Sequence, residues 1–405
     1  AGRTGAGMIP LQFHPRAAAW RLDSLPPLSL DIHFTWCVRK CPYCDFNSHE
    51  PRSALDQDGY IDALIADLES ALPLIWGRRV QTVFMGGGTP SLFSPAHIDR
   101  LLRALDARLK LNPDAEITLE ANPGTLEIAQ FAGYRAAGVN RLSIGVQSFN
   151  SGHLSALGRI HGTDEARRAA EQASRHFDTF NLDIMYALPG QTLEQALADV
   201  EQALALGARH LSAYHLTLEP NTLFAARPPA NLPDDDLAAD MQEAIEARLA
   251  AAGLVHYETS AFALPGHQAQ HNLNYWTFGD YLGIGAGAHG KLSFHDRIQR
   301  DMRHKQPAAY LAGVAQGSQV QSSQPVAQAD LAFEFMMNAL RLTDGFALSL
   351  FNERTGLPLS AILPALEQAE QRGWLAREQG LVRPTLLGQR FLNDLLEVFL
   401  PETTT

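Results

Sequence analysis

Six short apolar stretches, with helix-like segments between them, constrain the fold of this chain more than any other feature. They run from Leu28 to Phe34, Val80 to Met85, Glu116 to Glu120, Arg141 to Gln147, Phe180 to Tyr186 and His210 to Leu218. Helix starts between them carry recognisable caps: Ser94 precedes Pro95 at a first helical position, and Thr192 forms a capping box with Gln195. Strands that alternate with helices pair in parallel through right-handed crossovers, so the order predicts a doubly wound sheet or a barrel. Six units are fewer than a full barrel uses.

The strand ends carry polar side chains. Period-two alternation puts Thr118 and Glu120 on one face of the third stretch, and Ser143, Gly145 and Gln147 on one face of the fourth. Asp183 places a carboxylate in the otherwise apolar fifth stretch, where an unpaired charge is costly. One such residue reads as a capped or ion-paired strand end. Three on successive strands read as a site, because barrel chemistry sits at the carboxyl ends of strands. After the second stretch comes Met85-Gly-Gly-Gly-Thr-Pro90, whose glycines allow close backbone approach. The loop lacks the lysine of a Walker motif, so a tight ligand turn fits better than a phosphate loop.

The chain has three cysteines, Cys37, Cys41 and Cys44, all in one loop. An odd number so close together is no disulfide framework, which leaves metal or redox chemistry. Zinc held by these thiols and His49 is one reading. The other is an iron-sulfur cluster with three irons on thiolates and the fourth open.

With 405 residues, 46% of them hydrophobic, the chain can bury a large core and is expected to fold as two or three units. A net charge of -12 argues against nucleic acid as a partner. No run is long and apolar enough to span a membrane, and Ala1 to Pro27 lacks the order of a secretion signal, so a cytoplasmic location is expected. Beyond a helix-like stretch, Asp235 to Ala252, the sequence reads as irregular to about Gln324. It holds His271-Asn-Leu-Asn-Tyr-Trp276 and Gly283-Ile-Gly-Ala-Gly-Ala-His-Gly290. From Val326, Phe333, Met336, Met337 and Leu340 recur at helical spacing as core, and Gly373 is placed to end a helix before Trp374.

Together, Cys-x3-Cys-x2-Cys with Asp45-Phe46-Asn47-Ser48-His49, the glycine turn, Glu120-Ala-Asn-Pro-Gly-Thr125, Gly145-Val-Gln-Ser-Phe149, Leu157-Gly-Arg159, Leu182-Asp-Ile-Met185 and the His271 hexapeptide resemble the HemW-type heme chaperones of the radical S-adenosylmethionine (SAM) superfamily. These are relatives of the oxygen-independent coproporphyrinogen III dehydrogenases, the HemN type. The resemblance implies a partial (β/α)6 radical SAM barrel with a C-terminal, mostly helical, winged-helix-like domain. The implied divisions are an N-terminal extension at 1–27, the barrel at 28–255, an irregular segment with the hexapeptide at 256–325, and the C-terminal domain at 326–405.

It further implies that Cys37, Cys41 and Cys44 ligate a [4Fe-4S] cluster whose open iron takes the methionine end of SAM. Gly87, Gly88 and Thr89 correspond to the turn against that end, and Glu120, Gln147, Arg159 and Asp183 to residues contacting SAM. His271 corresponds to a heme-associated histidine. The dehydrogenases carry a further cysteine where this chain has Phe46, so a heme carrier is expected rather than a porphyrinogen decarboxylase. Decarboxylation through a 5'-deoxyadenosyl radical is the alternative, and a zinc-stabilised binding module the blander one. Heme, heme-accepting apoproteins (membrane-bound respiratory proteins among them) and an electron donor to the cluster are the implied partners. Oligomeric state stays open, a dimer included. Two departures stand out: Asp31 replaces a tyrosine, which predicts repulsion of the SAM carboxylate, and Thr35 replaces a proline, which predicts a looser approach to the cluster loop.

Overall fold

A computed structural model describes residues 20–401. The six expected strands are present: β1 (Leu28–Phe34), β2 (Arg79–Gly87), β3 (Lys110–Ala121), β4 (Arg141–Gln147), β5 (Thr179–Tyr186) and β6 (His210–His215). Each neighbouring pair from β1 to β6 runs parallel. Parallel neighbours need crossovers, and helices Gln57–Ala71, Pro95–Asp106, Phe131–Ala137, Thr163–His176 and Leu193–Ala205 supply them. Asp235–Ala251 follows β6 as the sixth helix of the set. The apolar faces of strands and helices meet in one core that includes Ile32, Val83, Leu119, Ile144 and Leu182. Pairing in register brings the strand ends together, so Glu120, Gln147 and Asp183 rise from the same rim.

The stretch read as irregular is not. It contains β7 (Val255–Glu258), β8 (Ala261–Ala263), β9 (Asp280–Ile284), β10 (His289–Ser293), β11 (Ile298–Arg303) and β12 (Val320–Pro325). Strand β9 adds parallel to β1, and β10, β11 and β12 continue antiparallel; beyond β6, β8 and β7 extend the other edge. The described residues thus form one twelve-stranded sheet. The alternation was hidden because β9 and β10 are almost wholly buried yet hold a charged pair, Asp280 with Lys291 (3.0 Å), while β12 is polar and mostly exposed.

Beyond residue 326, helices Gln328–Ala339, Leu348–Thr355 and Leu363–Gln371 surround a second core, with a small antiparallel sheet of β13 (Phe346–Ala347), β14 (Leu375–Glu378) and β15 (Leu381–Pro384). Gly373 takes φ 73° after the third helix, as its position predicts. Met336 and Leu340 are buried there, whereas Met337 faces outward. The N-terminal extension is not wholly separate. Leu22 is buried in this second core, and Trp20 Nε1 donates to the Thr355 carbonyl at 2.9 Å. Residues 1–19 lie outside the described residues.

Candidate cofactor and ligand site

The three thiols sit in the loop after β1. Its two ends are clasped: His49 N donates to Thr35 O (2.8 Å) and Cys37 N to His49 O (3.0 Å). Thr35 is fully buried, with Oγ1 3.1 Å from the Tyr60 hydroxyl, so a packed side chain holds the approach where proline was expected to. Tyr60 in turn donates to His33 O (2.7 Å) and accepts from Ala286 N (3.1 Å). The glycine turn docks against the same segment. Gly88 N donates to Phe34 O and Thr89 N to Trp36 O, and a Cβ on Gly88 would lie 2.5 Å from the Trp36 carbonyl. Gly88 therefore serves an approach by the chain itself, while Gly87, at φ 108°, aims its N–H at Glu120 Oε2 (3.0 Å).

These pieces wall one cavity of about 150 Å³, lined by Cys37, Cys41, Cys44, Gly87, Gly88, Thr89, Glu120, Gln147, Arg159 and Asp183. Ten of the eleven residues that the sequence points to thus share one space, and the structure sets the eleventh, His271, apart from it. Gln147 adopts φ 68°, a left-handed conformation that side chains seldom take, at the carboxyl end of β4. Arg159 spans the site. Its Nη2 donates to Asn122 Oδ1 (2.8 Å) and Gly145 O (2.7 Å), and Nη1 lies 3.5 Å from Cys41 Sγ. Its Nε is buried without a partner among the described residues. Asn122, which also donates to Thr89 Oγ1 (2.9 Å), was not singled out, although it lies two residues after Glu120.

The electrostatics indicate what such a space accepts. Burial, then the Asp183 and Asp31 carboxyls, push Glu120 up to about 8. Burial raises Asp183 to about 6 against hydrogen bonds from Asn181, Ser212 and Ser143. Carboxylates held this way favour an added cation. The ammonium and sulfonium of SAM supply one, and the fork of Arg159 suits a carboxylate. Burial also raises the Cys37 and Cys44 thiols, so their thiolates need compensating positive charge, as iron provides. A cluster spreads its thiolates over separate irons. The residues present fit a [4Fe-4S] cluster and SAM.

His271 lies deeper, 2% exposed, on the helix Gln270–Trp276. Its Nδ1 is 2.8 Å from Thr82 Oγ1, its ring stacks on Phe84, and its Nε2 has no partner among the described residues. Burial lowers its pKa to about 3, so the imidazole is neutral. It faces a chamber of about 190 Å³ among Glu116, Arg141, Asn181 and His210. Asp31 is absent from the lining of the thiol cavity and lies in a neighbouring one. It accepts from the Tyr275 hydroxyl at 2.7 Å, and burial raises it to about 6. The hexapeptide is therefore tied to the residue that stands in place of tyrosine.

Comparison with known proteins places this architecture. The Radical SAM superfamily model matches residues 32–203, and the HemN C-terminal domain model matches residues 326–391. The heme chaperone HemW of Escherichia coli is 51% identical over 380 residues, covering 93% of this chain and 99% of that protein. HemW of Haemophilus influenzae is 46% identical, covering 94% of this chain and all of that one. Among solved structures, the radical SAM enzyme coproporphyrinogen III oxidase (HemN) of Escherichia coli matches with a TM-score of 0.78 at 25% identity, over 93% of this chain and 90% of that one. The chain belongs to the HemW family of the radical SAM superfamily.

Proposed function

We propose that this protein binds a [4Fe-4S] cluster through Cys37, Cys41 and Cys44, binds SAM beside it, and carries heme to acceptor apoproteins. Identity of 51% to a heme chaperone along nearly the whole chain carries the reading. Two local observations support it. Phe46 stands where the dehydrogenases keep a further cysteine, and a cavity large enough for a tetrapyrrole adjoins the cluster loop. When bound, the cluster supplies an electron to the sulfonium of SAM. Gly87, Gly88 and Thr89 would hold the methionine side, Arg159 the carboxylate, and Glu120, Gln147 and Asp183 the remainder. Heme and an acceptor apoprotein are the partners in this reading, with a reductant serving the cluster.

The test uses the full chain reconstituted anaerobically. Iron and sulfide near ~4 each per chain are expected, with SAM retained in equilibrium dialysis, saturable heme binding by visible absorption, and heme passing to an apoprotein acceptor. Decarboxylated product from coproporphyrinogen III above a cluster-free control would instead support the dehydrogenase. About one zinc per chain with no sulfide would support the binding module.

A further inference from the structure

Heme is a flat, dianionic molecule whose iron takes an imidazole, so its seat requires room, an accessible neutral histidine and cations at the rim. The chamber at His271 is the less roomy of two candidates beside the thiol cavity, at about 190 Å³. A different cavity, about 690 Å³, opens on the outer side of the glycine turn. It shares Cys44, Phe46, Gly87 and Glu120 with the thiol cavity, so its occupant would lie against the cluster site.

Three imidazoles line this cavity, and their hydrogen bonds separate them. His33 Nε2 donates to Asn47 O (2.9 Å), and the ring packs flat on Gly87. His49 Nε2 lies 3.3 Å from Asn47 Oδ1. His289, at the start of β10, is exposed to the cavity, and neither of its ring nitrogens has a hydrogen-bond partner among the described residues. Burial and the cations Lys305, Arg300 and His33 lower its pKa, which keeps the imidazole neutral. Lys40 and Lys305 border the same space, suited to two propionates. Asn47 fixes the geometry by donating to Ala286 O (3.2 Å) and Lys305 O (3.0 Å), joining the cysteine loop to the turn ahead of His289 and to the segment just past β11. Phe46, 58% exposed, offers an aromatic face. Asp31, Asp45 and Glu120 also line the cavity, and Asp31 is engaged by Tyr275.

We propose that heme is seated in this cavity, with His289 as the axial ligand, Lys40 and Lys305 on the propionates, and Phe46 against the ring. The proposal rests on the heme-carrying reading above and assigns that reading a place. Asp31 and Phe84 line this seat and are backed by Tyr275 and His271 of the hexapeptide helix, so His271 lies behind the seat.

The experiment is anaerobic hemin titration of the full chain, followed by visible absorption, for the parent, His289→Ala, His289→Cys, Lys305→Glu and His271→Ala. His289 is exposed, so its replacement leaves the core intact. His289→Ala is expected to weaken binding tenfold or more and lose the imidazole-ligated spectrum, with free imidazole restoring it. His289→Cys is expected to show a thiolate-ligated spectrum, which a merely structural role would not produce. Lys305→Glu is expected to weaken binding while leaving the band position unchanged. A His289→Ala protein with the parent's affinity and spectrum overturns the seat. If His271→Ala alone abolishes binding, the seat fails and heme carriage stands; if the parent binds no heme, both fail.

Discussion

At the scale of single residues, the site is a contest between burial and charge. Glu120 is held up to about 8, so its proton leaves the folded chain later than the unfolded one, whose carboxyl titrates near 4.5. Stability of the ligand-free protein therefore declines as pH rises from 4.5 through about 8. Glu120→Gln removes that penalty. Its stability advantage over the parent, read by urea unfolding, should grow across this window and level off above it. SAM retention should fall in the same variant. Arg159→Lys keeps the charge but loses the fork that reaches Asn122, Gly145 and Cys41 together, so SAM affinity should drop by about tenfold in equilibrium dialysis. Alternation along β3 and β4 made Glu120 and Gln147 legible in the sequence, since side chains at period two share a face. Asn122 was not legible in that way. It lies past the strand, where no periodicity says which way a side chain turns.

At the scale of elements, helix Gln57–Ala71 pins the approach to the cysteine loop from behind. Tyr60 satisfies the carbonyl of His33 and the amide of Ala286 at once. Tyr60→Phe strands both buried groups, and a loss of about 1–3 kcal/mol is expected in denaturant unfolding, together with faster bleaching of the cluster absorbance in air. About two turns along the same helix, Asp67 accepts from Arg303 (3.1 Å), Tyr310 (3.0 Å) and Gly285 N (3.1 Å) in a fully buried set. Asp67→Ala leaves the guanidinium unpaired and should cost about 3–5 kcal/mol. Neither role could be read from the helical pattern, which marks Tyr60 and Asp67 only as positions on one face. Apart from His33, the partners lie more than two hundred residues away: Gly285 and Ala286 in the turn between β9 and β10, Arg303 at the end of β11 and Tyr310 on the helix after it.

At the scale of the whole molecule, three parts of the chain are joined by buried charge and by the first described residues. Asp280 on β9 pairs with Arg78 (2.8 Å) ahead of β2 and with Lys291 (3.0 Å) on β10. Leu22 fills the second core, so Leu22→Ala should cost about 2–5 kcal/mol and raise hydrogen exchange across Gln328–Ala339 before it touches the parallel strands. The six-unit core was legible because each strand and helix is local in sequence. The flanking strands and the docking of Trp20 and Leu22 were not, because they depend on contacts that only the assembled sheet offers. Strand β1 itself is an interior strand, held by β2 on one side and β9 on the other. The cysteine loop thus leaves from the middle of a finished sheet whose own pairing lies outside it. In the proposed reading, loss of the cluster to oxygen would leave that sheet standing, and a protein built in this way is suited to being refilled after damage rather than replaced.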